Sequence, residues 1–278
     1  MVPWGANPGG GGRAGGGPSF AMAYAWPFGR EHRSSESNRA ANRAGLRNRG
    51  LRIGDRHDMT AARVALVANG VFVAALCALH GLKSDLDPSW HFLSEYAIGR
   101  WGWLMQGAFL ALAAANLGTF AAIRPWLRTT AGKIGLALFL AGTLGTILAG
   151  LCITDPINTP PEAQTLSGTL HNIGGGLGLL GFVGTLIFSV RLLREPAWRS
   201  ARLAVAVATT LVVLGFLYSF VSIAALTAQH NGVFSPETPI GWPNRVGILS
   251  GCAWLAIIAW QAGRMGAASV SQAGEPTL

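Results

Sequence analysis

The chain has 278 residues, of which 50% are apolar and only 12% are charged, and its formal net charge is +9 at pH 7. A soluble protein of this length carries about a quarter charged residues, so this composition argues against a soluble globular domain. The basic excess follows an alternation of loops that is typical of membrane proteins, and it does not indicate nucleic acid as a partner.

The first segment, residues 1–58, is rich in glycine and arginine and lacks a repeating apolar pattern. It contains nine arginines and four acidic residues. Such a composition cannot bury enough apolar surface to fold by itself, so we predict a disordered cytoplasmic tail. The tail is expected either to contact anionic lipid head groups or to bind a partner. A third interpretation is that the tail is not translated, because the sequence from Met59 resembles the natural beginning of a first membrane span.

Six apolar stretches follow the tail, each long enough to cross a bilayer. About 20 apolar residues in a helix span the hydrocarbon core, where only helices or closed barrels satisfy every backbone group. These stretches are continuous, whereas barrel strands alternate. We therefore predict an all-α polytopic membrane protein, with a bundle of six transmembrane helices in residues 59–265 and a short cytoplasmic C-terminal tail in residues 266–278. The predicted spans are Thr60–Leu82, Trp101–Ile123, Ala131–Ile153, Thr169–Leu192, Arg202–Ala228 and Val246–Ala262.

The loops between these spans alternate in charge. The second loop holds three bases and no acid, and the fourth loop holds four bases and one acid. The first, third and fifth loops hold most of the acidic residues of the membrane domain. The positive-inside rule then predicts a multi-pass protein of the cell membrane with both termini in the cytoplasm.

All four histidines of the membrane domain also fall on the predicted outer side. In PSWHFLSEYAIG, Pro88 and Ser89 indicate the start of a helix that would continue into the second span. On such a helix, His91, Ser94 and Glu95 would share one face. Ionisable side chains that enter an apolar helix are expected to face protein or water. The alternative interpretation is a helix N-terminus whose acidic residues are favoured by the helix dipole. The four histidines are His80, His91, His171 and His230.

Further polar residues stand at the ends of the later spans. Asp155 directly follows the third span, where Asp-Pro ends a helix, and His171 opens the fourth span. A short loop joins these two helix ends, so the two side chains are within reach of each other; the alternative is a turn aspartate and an interfacial histidine. Arg245 heads the sixth span, where it either snorkels to head groups or binds a phosphate or carboxylate. We predict one outer cavity that is lined by His91, Ser94, Glu95, Asp155, His171 and Arg245.

The fourth span contains the glycine-rich sequence HNIGGGLGLLGFVG. Gly174 and Gly178 are four residues apart, and Gly181 and Gly184 follow. Small residues at this spacing let helix backbones approach closely in lipid, so we interpret them as packing residues. They do not form a phosphate-binding loop, because no strand precedes them and no Lys-Ser/Thr follows.

The order of these motifs resembles a bacterial family of six-span membrane proteins called domain of unknown function 998. The motifs are HFLSEYAIG before a long apolar helix, CITDP after the third span, GTLHNIGG at the head of the fourth span and GWPNRVGI at the sixth. The resemblance covers about residues 60–265, and the family name assigns no reaction. It implies site roles for Ser94, Glu95, Asp155, His171 and Arg245.

A looser likeness is to the membrane hydrolases that include alkaline ceramidases and progestin-type receptors. Those proteins use a Ser, an Asp and three His around zinc, although this chain lacks their late His-x-x-x-His pair. The likeness implies zinc as a cofactor, with Asp155 or Glu95 activating a water molecule. The zinc ligands would be His91, His171 and His230.

Three functions are compatible with these features to different degrees. We favour a non-catalytic or transport-type membrane protein whose outer polar cavity binds a lipid head group or a small solute. The alternative is a metal-dependent membrane lipid hydrolase. A two-haem electron carrier is disfavoured, because it needs histidines on both sides of the membrane. Membrane lipids are the expected partners, and no P-loop, GxSxG or HExxH motif occurs.

Overall fold

The computed structural model describes residues 58–272, which form helices and no strands. Six of the described helices are long and apolar enough to cross a membrane. The prediction of an all-α, multi-pass membrane protein with six spans is therefore confirmed for the described residues. The predicted tail lies outside the described residues except for Asp58. The six helices are α1 (Asp58–Leu82), α2 (Gly102–Ile123), α3 (Thr130–Leu151), α4 (Leu166–Arg194), α5 (Arg202–Gln229) and α6 (Gly241–Gln272).

The sixth helix departs most from its predicted bounds. It begins at Gly241 instead of Val246, and it continues to Gln272 into the predicted C-terminal tail. Pro243 lies in its first turn, where the missing backbone N–H has no intrahelical partner to lose. Arg245 therefore lies within the helix, one turn after its start, instead of ahead of it.

The first loop, residues 83–101, does not extend α2 towards its N-terminus. The prediction of one helix from Pro88 into the second span is wrong, because Leu93–Ala97 forms a separate 3-10 helix. Gly99 and Trp101 have backbone φ angles of 70° and 68°. This left-handed conformation cannot continue a right-handed helix, so the chain turns before α2 begins.

The odd-numbered and even-numbered loops lie at opposite ends of the bundle. Loops 1, 3 and 5 (residues 83–101, 152–165 and 230–240) bond to one another, and we call this end the odd-loop end. Loops 2 and 4 meet at the even-loop end, where the rings of Trp126 and Trp198 contact edge to face at 5.4 Å. Trp198 is fully buried there in the larger apolar core.

Glycine brings the backbones of α3 and α4 into contact. A Cβ atom on Gly174 would lie 2.6 Å from the carbonyl oxygen of Gly145, and one on Gly184 would lie 2.7 Å from that of Gly135. These positions confirm the interpretation of glycine as a packing residue. For Gly178 that interpretation is wrong, because nothing lies within 4 Å of its Cβ position.

Candidate functional site

Hydrogen bonds between distant segments fix the loops of the odd-loop end. Asn158 in loop 3 pairs with the backbone of Phe234 in loop 5, donating to its carbonyl oxygen at 2.7 Å and accepting from its N–H at 2.8 Å. The backbone N–H of Gly241 donates to the carbonyl oxygen of Ser89 at 2.8 Å. These bonds hold loop 3 to loop 5, and loop 1 to the start of α6.

Glu95 joins loop 1 to loop 3. Its side chain is buried, and one carboxylate oxygen accepts from the backbone N–H of Phe92 and from Nδ1 of His91, both at 3.0 Å. The other oxygen accepts from the backbone N–H of Ile157 at 2.9 Å. A buried carboxylate is costly unless it is hydrogen-bonded, and three donors meet that requirement here.

Arg245 is a buried cation that holds protein groups together. Its guanidinium donates to Nε2 of His80 at 2.9 Å and to the Tyr96 hydroxyl at 3.1 Å. It also donates to the carbonyl oxygens of His91 at 2.8 Å and Gly241 at 3.0 Å. Its polar partners are protein groups without a carboxylate, which favours a structural role over the predicted recognition of a phosphate or carboxylate.

His80 is the partner of Arg245 that sequence reasoning did not find. Its Nδ1 lies 2.7 Å from the carbonyl oxygen of Leu76, and its Nε2 accepts from Arg245. A carbonyl oxygen can only accept, so both bonds require the tautomer with its proton on Nδ1. The only available signal was that an arginine in an apolar helix needs acceptors from other segments.

A second buried cation, Lys83, is also directed at protein groups. Its ammonium donates to the carbonyl oxygens of Tyr96 and Ile98. Burial lowers the pKa of Lys83, and the nearby carboxylates of Asp85 and Glu95 partly offset that effect. Burial also raises the pKa of the Tyr96 hydroxyl, against the opposing influence of Arg245. Lys83 and Arg245 therefore both donate to groups of loop 1 and stabilise it.

A cavity of about 610 Å³ lies beneath these loops, and we call it the mouth cavity. Loops 1, 3 and 5 contribute to its wall together with α2, α3, α4 and α6. Its wall includes four of the six residues predicted to share one cavity, namely Ser94, Glu95, Asp155 and His171. His91 and Arg245 do not line it, because His91 bonds to Glu95 and Arg245 to the loop 1 backbone.

Asp155 and His171 line the mouth cavity without bonding to each other. The Asp155 carboxylate accepts from the backbone N–H of Thr165 at 2.9 Å and from its hydroxyl at 2.8 Å, next to the start of α4. Nδ1 of His171 donates to the carbonyl oxygen of Cys152 at 2.9 Å. Nε2 of the buried His171 ring forms no hydrogen bond with any described residue, which leaves an acceptor for a ligand.

The structure does not assemble the predicted zinc ligands His91, His171 and His230. Within residues 58–272, no three His, Cys, Asp or Glu side chains are arranged so that they could hold a metal ion. His91 is engaged with Glu95, and His171 is held at Cys152. His230 ends α5 as its C-cap residue and does not line the mouth cavity. Placement at one end of the bundle was not sufficient to bring the three rings together.

A second cavity of about 390 Å³ lies deeper in the bundle, and we call it the deep chamber. Its wall is mainly apolar and includes aromatic rings of α3, α4, α5 and α6 (Phe139, Phe182, Phe216 and Trp254). The deep chamber and the mouth cavity share wall residues from α2, α3, α4 and α6, so the two spaces adjoin. The shared residues are Leu112, Thr146, Gly175, Gly178, Asn244 and Ile248.

A third space separates α4 from α5 at the bundle surface, and we call it the lateral crevice. Phe182 of α4 and Phe216 of α5 stack with their ring centroids 4.0 Å apart. The crevice shares Phe216 and Leu179 with the deep chamber, and its wall also includes the exposed Phe220. The deep chamber therefore adjoins a gap on the side of the bundle that faces lipid in a membrane.

Comparison with known proteins assigns the chain to a family. Residues 66–261 match the family described as "Protein of unknown function (DUF998)". The chain belongs to the DUF998 family. The match confirms the resemblance seen in the motifs, and every residue that lines the mouth cavity lies within the DUF998 region. No curated protein and no solved structure matches the chain, so the likeness to ceramidase-type hydrolases stays a prediction.

Proposed function

We propose that this DUF998 protein binds a membrane lipid, with the head group in the mouth cavity and an acyl chain in the deep chamber. The observation that carries the proposal is the shared wall between a polar space and an apolar space. A small polar solute would need only the mouth cavity. An amphiphile uses both, because its head group requires polar partners and its chain gains free energy by leaving water.

The polar half of the proposed site is suited to a head group. Asp155 and His171 line the mouth cavity, and Asn172 and Asn244 add amide groups to its wall. A cavity of about 610 Å³ falls in the range of small-molecule sites, which is roughly 300–1,000 Å³.

The apolar half of the proposed site is suited to a chain and offers a route from the bilayer. The lateral crevice adjoins the deep chamber, and a lipid chain can pass between α4 and α5 without crossing the polar loops. Gly175 and Gly176 line this crevice, and nothing lies within 4 Å of their Cβ positions. The open space at these glycines supports a chain as the occupant.

Gly178 provides the variant that tests lipid binding. It lines both the mouth cavity and the deep chamber, so Gly178→Leu places a side chain into the space that they share. Protein in nanodiscs would be labelled with a lipid that carries a photoactivatable group on its acyl chain. We expect Gly178→Leu to reduce labelling at least fivefold while the melting temperature is kept.

Gly107→Leu is the matched control, because Gly107 of α2 is exposed, has open space at its Cβ position and lies outside these cavities. Labelling of this variant should equal that of the wild type. Equal labelling of Gly178→Leu and Gly107→Leu would overturn the proposed function.

We further infer that the odd-loop end faces the outside of a cell membrane, with both termini in the cytoplasm. The bases of loops 2 and 4 support this orientation through the positive-inside rule. A reporter that is active only outside the cytoplasm should stay inactive when it is fused after Leu278. The same reporter inserted after Glu162 in loop 3 should be active, and the reverse pattern would overturn the orientation.

A further inference from the structure

The acidic groups in the wall of the mouth cavity outnumber its basic groups. The carboxylates of Glu95 and Asp155 line the cavity, and its described lining contains no Lys or Arg. The buried cations Lys83 of loop 1 and Arg245 of α6 donate to protein groups instead. A phosphate in this cavity would meet like charges, and like-charge contact disfavours binding.

Among the neutral side chains of the cavity wall, those of His171 and Asn244 each use one hydrogen-bonding group on the protein and keep another for a ligand. His171 uses Nδ1 on the carbonyl oxygen of Cys152, so Nε2 is left as an acceptor. Asn244 uses its Oδ1 to accept from the backbone N–H of Leu93 at 3.0 Å, so its NH₂ group is left as a donor. A backbone N–H can only donate and a carbonyl oxygen can only accept. The bonds to Leu93 and Cys152 therefore determine which group of Asn244 and of His171 is left over.

Resting on the proposed function, we infer that the mouth cavity selects an uncharged head group that bears hydroxyls, such as a glycerol or sugar head, over a phosphate head. A hydroxyl both donates and accepts, so it can satisfy Nε2 of His171 and the NH₂ group of Asn244 together. A phosphate dianion offers only acceptors, so it can pair with the Asn244 NH₂ group but leaves Nε2 of His171 unpaired. An ammonium offers only donors, so it can pair with Nε2 of His171 but leaves the Asn244 NH₂ group unpaired. Buried polar groups left unpaired in this way weaken binding.

The test compares three amphiphiles that carry a single hydrocarbon chain of the same length. They are a monoacylglycerol, a monoalkyl phosphate and a primary alkylamine. Each competes with the photoactivatable lipid for the protein in nanodiscs of phosphatidylcholine. We expect the monoacylglycerol to compete at least tenfold better than either of the others. Tighter binding of the phosphate or of the amine would overturn the inference.

His171→Asn removes the acceptor at Nε2 while it keeps the structural bond to loop 3. The Asn amide can occupy the place of Nδ1 and keep the bond to the Cys152 carbonyl oxygen, while the acceptor at Nε2 is lost. We expect the affinity for the monoacylglycerol to fall about tenfold, the loss typical of one hydrogen bond to a ligand, and the affinity for the phosphate to stay unchanged. An equal loss for both amphiphiles would contradict a selective role for His171.

Asp155→Asn is expected to increase the affinity for the phosphate amphiphile, and a misfolded protein would not show such an increase. The Asn side chain still offers an oxygen to the backbone N–H of Thr165, but it removes one negative charge from the cavity wall. We expect this variant to bind the monoalkyl phosphate more tightly than the wild type does. If all three amphiphiles bind equally and Gly178→Leu weakens all of them, lipid binding stands and the head-group inference fails. If Gly178→Leu weakens none of them, the proposed function fails.

Discussion

The two sides of α4 show how one helix can both seal a bundle and leave it open. On the side towards α3, Gly174 and Gly184 bring the two backbones into contact. On the side towards α5, Gly175 and Gly176 meet empty space, and the lateral crevice lies beside them. The same residue type therefore serves close packing on one side and open volume on the other, and only the direction of the Cα–H bond distinguishes the two uses.

Gly184→Leu should break the sealed side of α4 and produce the largest effect. A Cβ atom at this position would lie 2.7 Å from the backbone of α3, and the side chain would force the two helices apart. We expect a loss of about 3 kcal/mol or more in the free energy of unfolding, at the upper end of overpacking effects. Thermal unfolding in detergent measures the loss. Gly178→Leu on the same helix is the control, and a similar loss there would contradict the comparison.

Glu95→Ala should weaken the roof of the mouth cavity, which is formed by loops 1 and 3 where Glu95 joins them. The variant leaves the backbone N–H groups of Phe92 and Ile157 without their acceptor beneath the loops. Unpaired buried donors cost about 1–3 kcal/mol each. These two donors are only partly buried, so we expect a total loss near the lower end of the sum, about 2–3 kcal/mol. Glu95→Gln keeps one acceptor oxygen and should lose less. Equal melting temperatures for Glu95→Ala and the wild type would show that these bonds do not hold the roof.

Asn158→Gly should loosen the link between loops 3 and 5 by a smaller amount. Asn158 has a φ angle of 67°, which glycine adopts without strain, so the variant removes only the two bonds to Phe234. We expect a loss of about 1 kcal/mol, because these bonds are exposed to solvent. Asn231→Gly is a matched control at a φ angle of 51°, and its side chain forms no hydrogen bond with the described residues. Equal losses in both variants would contradict the link.

Gly176→Ala should give the smallest effect, with the opposite sign. Its Cβ would enter open space, and alanine is favoured over glycine within a helix by about 0.8–1 kcal/mol. We expect a melting temperature slightly above that of the wild type. Gly174→Ala should lower the melting temperature, since its Cβ would lie 2.6 Å from a carbonyl oxygen of α3. The same sign for both variants would remove the distinction between the two sides of α4.

The spans and the grouping of the loops could be predicted from the sequence by itself. Helix length and hydropathy are local properties, because every backbone group in a bilayer must be paired within its own segment. The alternation of six spans then places Glu95, Asp155 and His171 at one end of the bundle. The motifs around these residues also indicated the DUF998 family, which the match over residues 66–261 confirmed.

Only the tertiary structure decided which of these side chains share a space. Glu95 accepts from Ile157, which is 62 residues away, and Arg245 donates to His80, which is 165 residues away. Such pairings depend on the rotation of each helix about its axis and on the path of the loops. Neither property can be predicted from the hydropathy of the sequence. For the same reason the sequence predicted Arg245 as a cavity residue and Gly178 as a packing residue, whereas the structure exchanges these two roles: Arg245 holds loop 1 to α6, and Gly178 lines the cavities.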